Sequence, residues 1–193
     1  MMQAETEQNP VYQFRVVLRY TDPPVWRRFT VPSDTTLHRL HLVLQKVMGW
    51  KNAHLYRFSI GSQEYGELYH DNENSGLDHK DSKRAKLKSL VAKQGSIFLY
   101  EYDFGDGWLH EVTLEAILGP KPDLDHPVCL AGERACPPED CGGPPGFDNL
   151  LFVMNNPGHE EYRDMVSWLG HRFDPTAFSL AQVNRRLNSL RYN

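Results

Sequence analysis

The stretch that decides the fold is residues 11–50, VYQFRVVLRYTDPPVWRRFTVPSDTTLHRLHLVLQKVMGW. Residues 11–20 alternate between apolar and polar side chains, which is the pattern of a half-buried strand. A Thr-Asp-Pro-Pro turn follows, and residues 25–31 have the composition of a second strand. The two segments therefore predict a β-hairpin at the start of the fold.

The second half of this stretch predicts a helix. Ser33 or Asp34 is suited to cap its N-terminus, and Gly49 is suited to end it. Residues 55–60 and 64–69 follow as short strands. The order strand, strand, helix, strand predicts an α+β fold, a β-grasp-like αβ roll with a mixed sheet and the helix packed on one face. The apolar side chains of the helix that would face the sheet are Leu37, Leu40, Leu44 and Val47.

The rest of the chain continues this pattern. A short basic helix is expected at 83–93, and strands are expected at 96–102 and 111–118. Residues 119–146 hold seven of the 13 prolines and five of the 14 glycines, so no regular element is expected there. Long loops of this kind are usually functional or disordered. The C-terminal segment is predicted to be helical at 149–155, 159–169 and 179–190.

Length and composition restrict the classes of protein. With 193 residues the chain can bury one core, so residues 11–193 are expected to form a single domain after a disordered leader at 1–10. The formal charge of −4 argues against a polyanion-binding surface over the whole protein.

There is no apolar run long enough to span a membrane, and the polar leader lacks a signal-peptide pattern. A cytoplasmic location is therefore expected, and an odd number of cysteines in such a chain favours thiols or a metal over a disulfide framework.

The connection between the strands at 96–102 and 111–118 is rich in polar side chains. Asp-Gly is a strong turn signal, so the simplest interpretation of Asp-Phe-Gly-Asp-Gly-Trp is a tight turn over packed aromatic rings. The alternative is a site for a divalent metal or for proton transfer, with Asp103, Asp106, His110 and Glu111 as its groups. Strand geometry opposes part of that alternative, because Trp108 and His110 should point one way and Glu111 the other.

The loop also offers zinc ligands. His126, Cys129, Cys136 and Cys141 provide one imidazole and three thiols, which is a chemically suitable set for structural zinc. The spacing lacks the paired Cys-x2-Cys of familiar zinc sites. The competing interpretation is that the cysteines act as small hydrophobic residues and that prolines stiffen the loop without metal.

A basic segment offers a different kind of partner. Its cations could contact the phosphates of a nucleic acid, although such a run is more often the solvated face of a helix. The residues concerned are Lys83, Arg84, Lys86 and Lys88.

Several stretches together resemble a known family. VWRRFTVPSDTTLHRLH, MGW with HLYRF, YDFGDGWLHEVTLE and CPPEDCGGPPGF, followed by WLG and FDP, are similar to the plasmid Ri open-reading-frame-three-like family. Members are also labelled insertion-sequence passenger proteins of TnpR type. The resemblance implies a single α+β domain found in bacteria and archaea, often near mobile elements. It brings no established catalytic residues, and the TnpR label implies site-specific recombination.

The favoured prediction is an uncharacterised, mobile-element-associated domain that binds an unknown protein or small ligand. Its polar cleft would lie between the turn at 103–111 and the loop at 129–147. One alternative is a metal-dependent hydrolase or phosphoryl-transfer enzyme that uses the cleft carboxylates and His110. Another is a DNA-binding accessory protein of a mobile element. The residues predicted to form the cleft are Asp103, Asp106, Trp108, His110, Glu111, Glu139 and Asp140.

Overall fold

The computed structural model describes residues 9–67, 79–121, 124 and 126–191. Within these residues the chain forms eight strands and five helices. The strands are β1 (Val11–Leu18), β2 (Trp26–Pro32), β3 (Tyr56–Ile60), β4 (Gln63–Gly66), β5 (Lys80–Asp81), β6 (Ile97–Tyr102), β7 (Trp108–Leu118) and β8 (Val128–Glu133). The helices are α1 (Leu37–Met48), α2 (Leu87–Leu90), α3 (Gly143–Asn155), α4 (Tyr162–Leu169) and α5 (Leu180–Leu187).

All eight strands belong to one sheet, in the order β5-β4-β3-β6-β7-β1-β2-β8. Every neighbouring pair is antiparallel except β4 and β5, which are parallel. The α+β class is therefore confirmed, and so is the opening hairpin. The β-grasp-like arrangement is not established by this order, because β7 and β6 lie between β1 and β3.

Helix α1 packs its apolar stripe against one face of the sheet, and the four predicted stripe residues are fully buried. Its cap is Thr36 rather than Ser33 or Asp34: the Thr36 side chain accepts a hydrogen bond from the Arg39 backbone N–H at 3.2 Å. The cap lies later because the backbone carbonyl of Ser33 accepts from the N–H of Lys88, which holds this segment against α2. Gly49 ends the helix in the left-handed region, as predicted.

The core lies between α1 and alternate side chains of the central strands. Phe14 of β1, Tyr100 of β6 and Val112 of β7 are completely buried on this face. At the β8 edge, α5 continues the core with Val183 and Leu187. Asn184 joins α5 to β8, because its side-chain amide donates to the carbonyl of Cys129 at 3.0 Å and accepts from the same residue's N–H at 2.8 Å.

Two sequence predictions need correction. The segment 119–146 is not without regular structure, since it contains β8, and α3 begins at Gly143. The pairing of β8 with β2 is a contact across about one hundred residues, so local composition does not reveal it. The basic helix predicted at 83–93 is helical only from Leu87 to Leu90.

Most of the predicted leader, residues 1–8, lies outside the described residues. None of the described helices is long and apolar enough to cross a membrane.

Candidate functional site

The turn between β6 and β7 is built around Asp103. This residue has a left-handed backbone with φ of 56°, and its carbonyl accepts from the N–H of Gly107 at 2.6 Å. Its Oδ1 accepts from the N–H groups of Gly105 at 3.0 Å and Asp106 at 3.3 Å. One carboxylate oxygen therefore shapes the turn, and Oδ2 remains for another partner.

The loop before α3 lies directly against this turn. Asp106 Oδ2 accepts from the N–H of Gly142 at 3.3 Å. At Gly143, where φ is 67°, a Cβ atom would lie 2.3 Å from the carbonyl oxygen of Asp106. Only glycine permits both this backbone conformation and this close approach. The turn and the loop, which are about 40 residues apart, thus meet through backbone contacts.

A third segment, between α1 and β3, joins them. Trp50 Nε1 donates to the carbonyl of Pro137 at 3.0 Å, and the Lys51 N–H donates to Glu139 Oε1 at 3.0 Å. The Tyr102 hydroxyl donates to the same Glu139 oxygen at 2.6 Å. Burial, assisted by this carboxylate, raises the pKa of Tyr102 well above its usual range. Glu139 is therefore fixed in place as a structural acceptor.

Where the three segments meet, an imidazole faces two carboxylates. His54 Nε2 lies 3.1 Å from Asp140 Oδ1 and 3.6 Å from Asp103 Oδ2. This nitrogen is shielded from solvent and has no well-aligned hydrogen bond among the described residues, despite the short distance to Asp140. The ligand atoms of these three residues lie within 4.8 Å of one another. We call His54, Asp103 and Asp140 the rim cluster.

The rim cluster is accessible to a ligand. A cavity of about 440 Å³ opens beside it, with His54, Asp103 and Phe104 in its wall. The Asp140 side chain is 69% exposed. One imidazole nitrogen and two carboxylate oxygens form a donor set that suits zinc and manganese. The cluster therefore has both the chemistry and the access that a cation site requires.

Three of the predicted cleft residues lie elsewhere. Trp108 and His110 point into the core beneath the turn, where His110 Nδ1 lies 3.1 Å from the carbonyl of Tyr100. Burial lowers the pKa of His110 to about 4, so it is a neutral core residue. Glu111 is on the opposite face of the sheet and pairs with Arg19 at 2.6 Å. The alternation of side chains along β7 separates these residues, as strand geometry requires.

The four predicted zinc ligands are not brought together. Among the described residues, no three of them place ligand atoms within 4.8 Å of one another. Cys129 is buried in β8, and its thiol donates to the carbonyl of Ala131 at 3.5 Å. Burial raises the pKa of Cys129 and of Cys136, and burial together with Asp106 raises the pKa of Cys141 to about 12. Burial therefore favours the protonated form of these thiols in the metal-free chain, as expected of cysteines that pack as small hydrophobic residues.

His54 is the functional candidate that the sequence did not reveal. It lies in the connection Lys-Asn-Ala-His-Leu before β3, a stretch without a recognisable ligand spacing. Its proximity to Asp103 and Asp140 depends on contacts across about 50 and about 85 residues. Sequence patterns alone could not single out His54, because Asp103 and Asp140 belong to distant segments that approach it only in the folded chain.

Several cations of the basic segment already have partners within the chain. Lys83 pairs with Glu67 at 2.5 Å, and Arg84 approaches Asp81 at 3.5 Å. Lys88 donates to the Asn9 side chain at 3.1 Å. Such pairing reduces the local positive potential that phosphate contacts would need.

Fold and site together define the class: an α+β domain in which the turn between β6 and β7, the loop before α3 and the connection between α1 and β3 form a polar rim. The chain belongs to the plasmid pRiA4b ORF-3-like protein family, whose profile matches residues 10–182.

Two relatives support this assignment. The uncharacterized protein y4hQ of Sinorhizobium fredii is 36% identical over 182 residues, covering 93% of this chain and 92% of the relative. The crystal structure of MM3350 from Methanosarcina mazei, a protein of unknown function, has a TM-score of 0.80 and 35% identity, covering 90% of this chain and 97% of that chain. Both names leave the activity open.

Proposed function

We propose that this protein is a binding module that takes a divalent cation at the rim cluster, where the turn at 103–107, the segment before β3 and the loop before α3 meet. The observation that carries the proposal is the position of His54 Nε2. This nitrogen is shielded from water, lacks an aligned hydrogen bond among the described residues, and faces one oxygen from each of two carboxylates. A cation between these atoms would satisfy all three groups.

The surrounding structure supports a preformed site. Asp103 is held by the turn through its Oδ1, and the neighbouring Asp106 binds the loop that carries Asp140. Two of the three donors are thus positioned by backbone hydrogen bonds before any ligand arrives. Preorganised donors lose less entropy on binding, which favours affinity. Three protein ligands also leave coordination positions for water or for a second molecule.

Isothermal titration calorimetry with ZnCl₂ and MnCl₂ tests the proposal on EDTA-treated protein. We expect one site, and we expect His54→Gln and Asp140→Asn each to weaken binding at least about tenfold, as loss of one ligand should. Asp148→Asn is the matched control, because Asp148 is an exposed aspartate on α3 outside the cluster. Absence of one-site binding, or equal affinities for the Asp140 and Asp148 variants, would refute the proposal.

A metal-dependent hydrolase or phosphoryl-transfer enzyme is the second candidate, and the three-ligand cluster beside an open cavity favours it. In such an enzyme His54 would supply the imidazole of the site, which the sequence analysis had assigned to His110. The test is Mn²⁺-dependent hydrolysis of p-nitrophenyl phosphate. Asp103→Asn should abolish it while keeping the Oδ1 acceptor of the turn. Activity that survives this substitution would contradict the enzyme hypothesis.

Other parts of the prediction remain proposals. The plasmid origin in the family name supports an association with mobile elements. The TnpR label stays a prediction. Three free cysteines support a cytoplasmic, reducing environment.

DNA binding through Lys83, Arg84, Lys86 and Lys88 would require steeply salt-dependent affinity, and no binding to duplex DNA at low salt would exclude it.

A further inference from the structure

A larger cavity lies on the other side of Asp140 from the turn. Its volume is about 760 Å³, within the range of small-molecule sites. Its walls are the C-terminal end of α1, the segment at 135–140, and α5 with the chain that precedes it. We call it the arginine cavity, because Arg27 and Arg186 both line it.

Arg27 is a buried cation without a carboxylate partner among the described residues. Its Nε donates to Val47 O at 3.0 Å, Nη1 to the carbonyls of Trp26 and Glu133 at 2.7 Å, and Nη2 to Arg134 O at 2.7 Å. These bonds use four of the five N–H donors of a guanidinium. Backbone carbonyls orient the group but leave its positive charge uncompensated.

The position of Arg27 is built by its neighbours. The Phe178 ring lies over the guanidinium, with 4.7 Å from Cζ to the ring centroid. On the strand side, a Cβ atom on Gly132 would lie 2.7 Å from Arg27 Cδ and 2.8 Å from the Phe178 ring. The missing side chain of Gly132 thus leaves room for both, so cation and ring form a fixed wall.

Arg186 adds a second positive charge from α5. This exposed side chain makes one long contact, at 3.5 Å from Nη1 to the carbonyl of Lys46, and it too has no carboxylate partner among the described residues. It is close enough to Arg27 for the two charges to interact unfavourably. Two cations kept near each other without an anion mark a site where an anion would be stabilised.

Aromatic rings form much of the remaining wall, and Lys51, His171 and Gln182 add polar groups to it. Phe173 and Phe178 line the cavity, and the Trp168 side chain lies at its edge with 54% of the residue exposed. The carboxylates in the wall are Glu139, which is bound to Tyr102 and Lys51, and Asp140, which belongs to the rim cluster. Negative charge therefore lies at the end toward the rim cluster, and it would repel an anion placed there.

We propose that the arginine cavity binds a small organic anion with a flat apolar body, its anionic group directed toward Arg27 and Arg186. The body packs against the aromatic walls. A carboxylate, sulfonate or phosphate group supplies the charge, and Arg186 distinguishes such a ligand from its neutral analogue. This site shares Asp140 with the proposed cation site at one end, but the anion is bound through Arg27 and Arg186, so its binding does not depend on a bound cation.

The test uses two dyes of similar shape and different charge, anilinonaphthalene sulfonate and the neutral N-phenylnaphthylamine. Titrations are made on the full chain in EDTA, so that no metal contributes at the rim cluster. We expect saturable one-site binding of the anionic dye, at least about tenfold tighter than the neutral dye, since a charge-assisted contact is worth that much. Equal affinities, or no saturable site, would overturn the proposal.

Substitutions in the cavity wall test whether the dye binds there. Arg186→Gln should weaken the anionic dye about tenfold and leave the neutral dye unchanged. Arg185→Gln is the control, because Arg185 is an exposed arginine of the same helix that does not line the cavity. Trp168→Ala should weaken both dyes. If the Arg186 and Arg185 variants behave alike, or if Trp168→Ala changes neither dye, the anion is not bound in this cavity.

Discussion

Two histidines on either side of one turn have opposite environments. His110 lies beneath the turn, fully buried, with a backbone carbonyl as its hydrogen-bond partner and a pKa lowered to about 4 by burial. His54 lies above it, partly exposed, with two carboxylates near its Nε2. The same side chain is a packing element in one place and a candidate ligand in the other. Burial and the charge of the neighbours decide the role.

The residues around the turn fall into two groups, a buried core beneath it and a polar rim above it. The core beneath it contains Trp108, Tyr100 and His41, whose contribution is to stability. The rim above it contains Asp140, whose exposed side chain gains little stability, and the buried Asp103, whose Oδ2 faces the rim while its Oδ1 shapes the turn. We therefore expect substitutions in the core to change the free energy of unfolding, and substitutions at the rim to change binding. The predictions below test this division.

The largest effect is expected from Trp108→Ala, which removes a fully buried ring. Loss of this packing should lower the free energy of unfolding by about 3–5 kcal/mol, measured by urea denaturation. Phe104→Ala is the control, because Phe104 is an aromatic residue of the same turn that is 41% exposed. It should cost below about 1 kcal/mol. Equal losses would show that the turn is not divided into core and rim.

Acid should destabilise the core through two imidazoles. Burial lowers the pKa of His41 and of His110 to about 4, below the value near 6.5 of the unfolded chain. The unfolded state therefore binds more protons between these values. The stabilisation is complete above about pH 6.5 and is lost as the pH falls toward 4, at roughly 1 kcal/mol per pH unit for each imidazole.

Urea unfolding at pH values from 7 to 4 measures this slope. His110→Leu should make the slope less steep by roughly 1 kcal/mol per pH unit, because one imidazole with a lowered pKa is removed. A slope that His110→Leu leaves unchanged would mean that His110 is not neutral in the folded protein.

A smaller effect is expected where the loop meets the turn. Gly143→Ala would place a Cβ atom 2.3 Å from the Asp106 carbonyl, in a left-handed backbone. The strain should cost about 1–3 kcal/mol and should also weaken cation binding, because it displaces the loop that carries Asp140. Gly158→Ala is the control, since none of the described residues has an atom within 4 Å of its Cβ position. Unaltered cation affinity in Gly143→Ala would show that loop and rim cluster are not coupled.

The smallest effect on stability is expected from Asp140→Asn. Its side chain is 69% exposed, and asparagine tolerates the left-handed backbone that Asp140 adopts with φ of 60°. The free energy of unfolding in metal-free buffer should change by less than about 0.5 kcal/mol. A loss of more than about 1 kcal/mol would assign Asp140 to the structure and not to binding.

Much of the architecture could be predicted from local patterns. Period-two alternation predicted β1 and the hairpin, and the leucine stripe with Gly49 predicted α1. The strand β8 and the early start of α3 were missed. Proline and glycine dominate their segment, and the partner that makes β8 a strand is β2, far away in sequence.

By itself, the sequence determined the α+β class, the family, and the turn chemistry of Asp103, because these depend on residues close together along the chain. Only the tertiary structure decided which polar side chains share a site. It placed Trp108 and His110 in the core and Glu111 on the far face, and it brought His54 to Asp103 and Asp140. Among the described residues, it brought no three of the predicted zinc ligands together. The physical reason is that convergence depends on loop closure and packing between distant segments, which no local periodicity encodes.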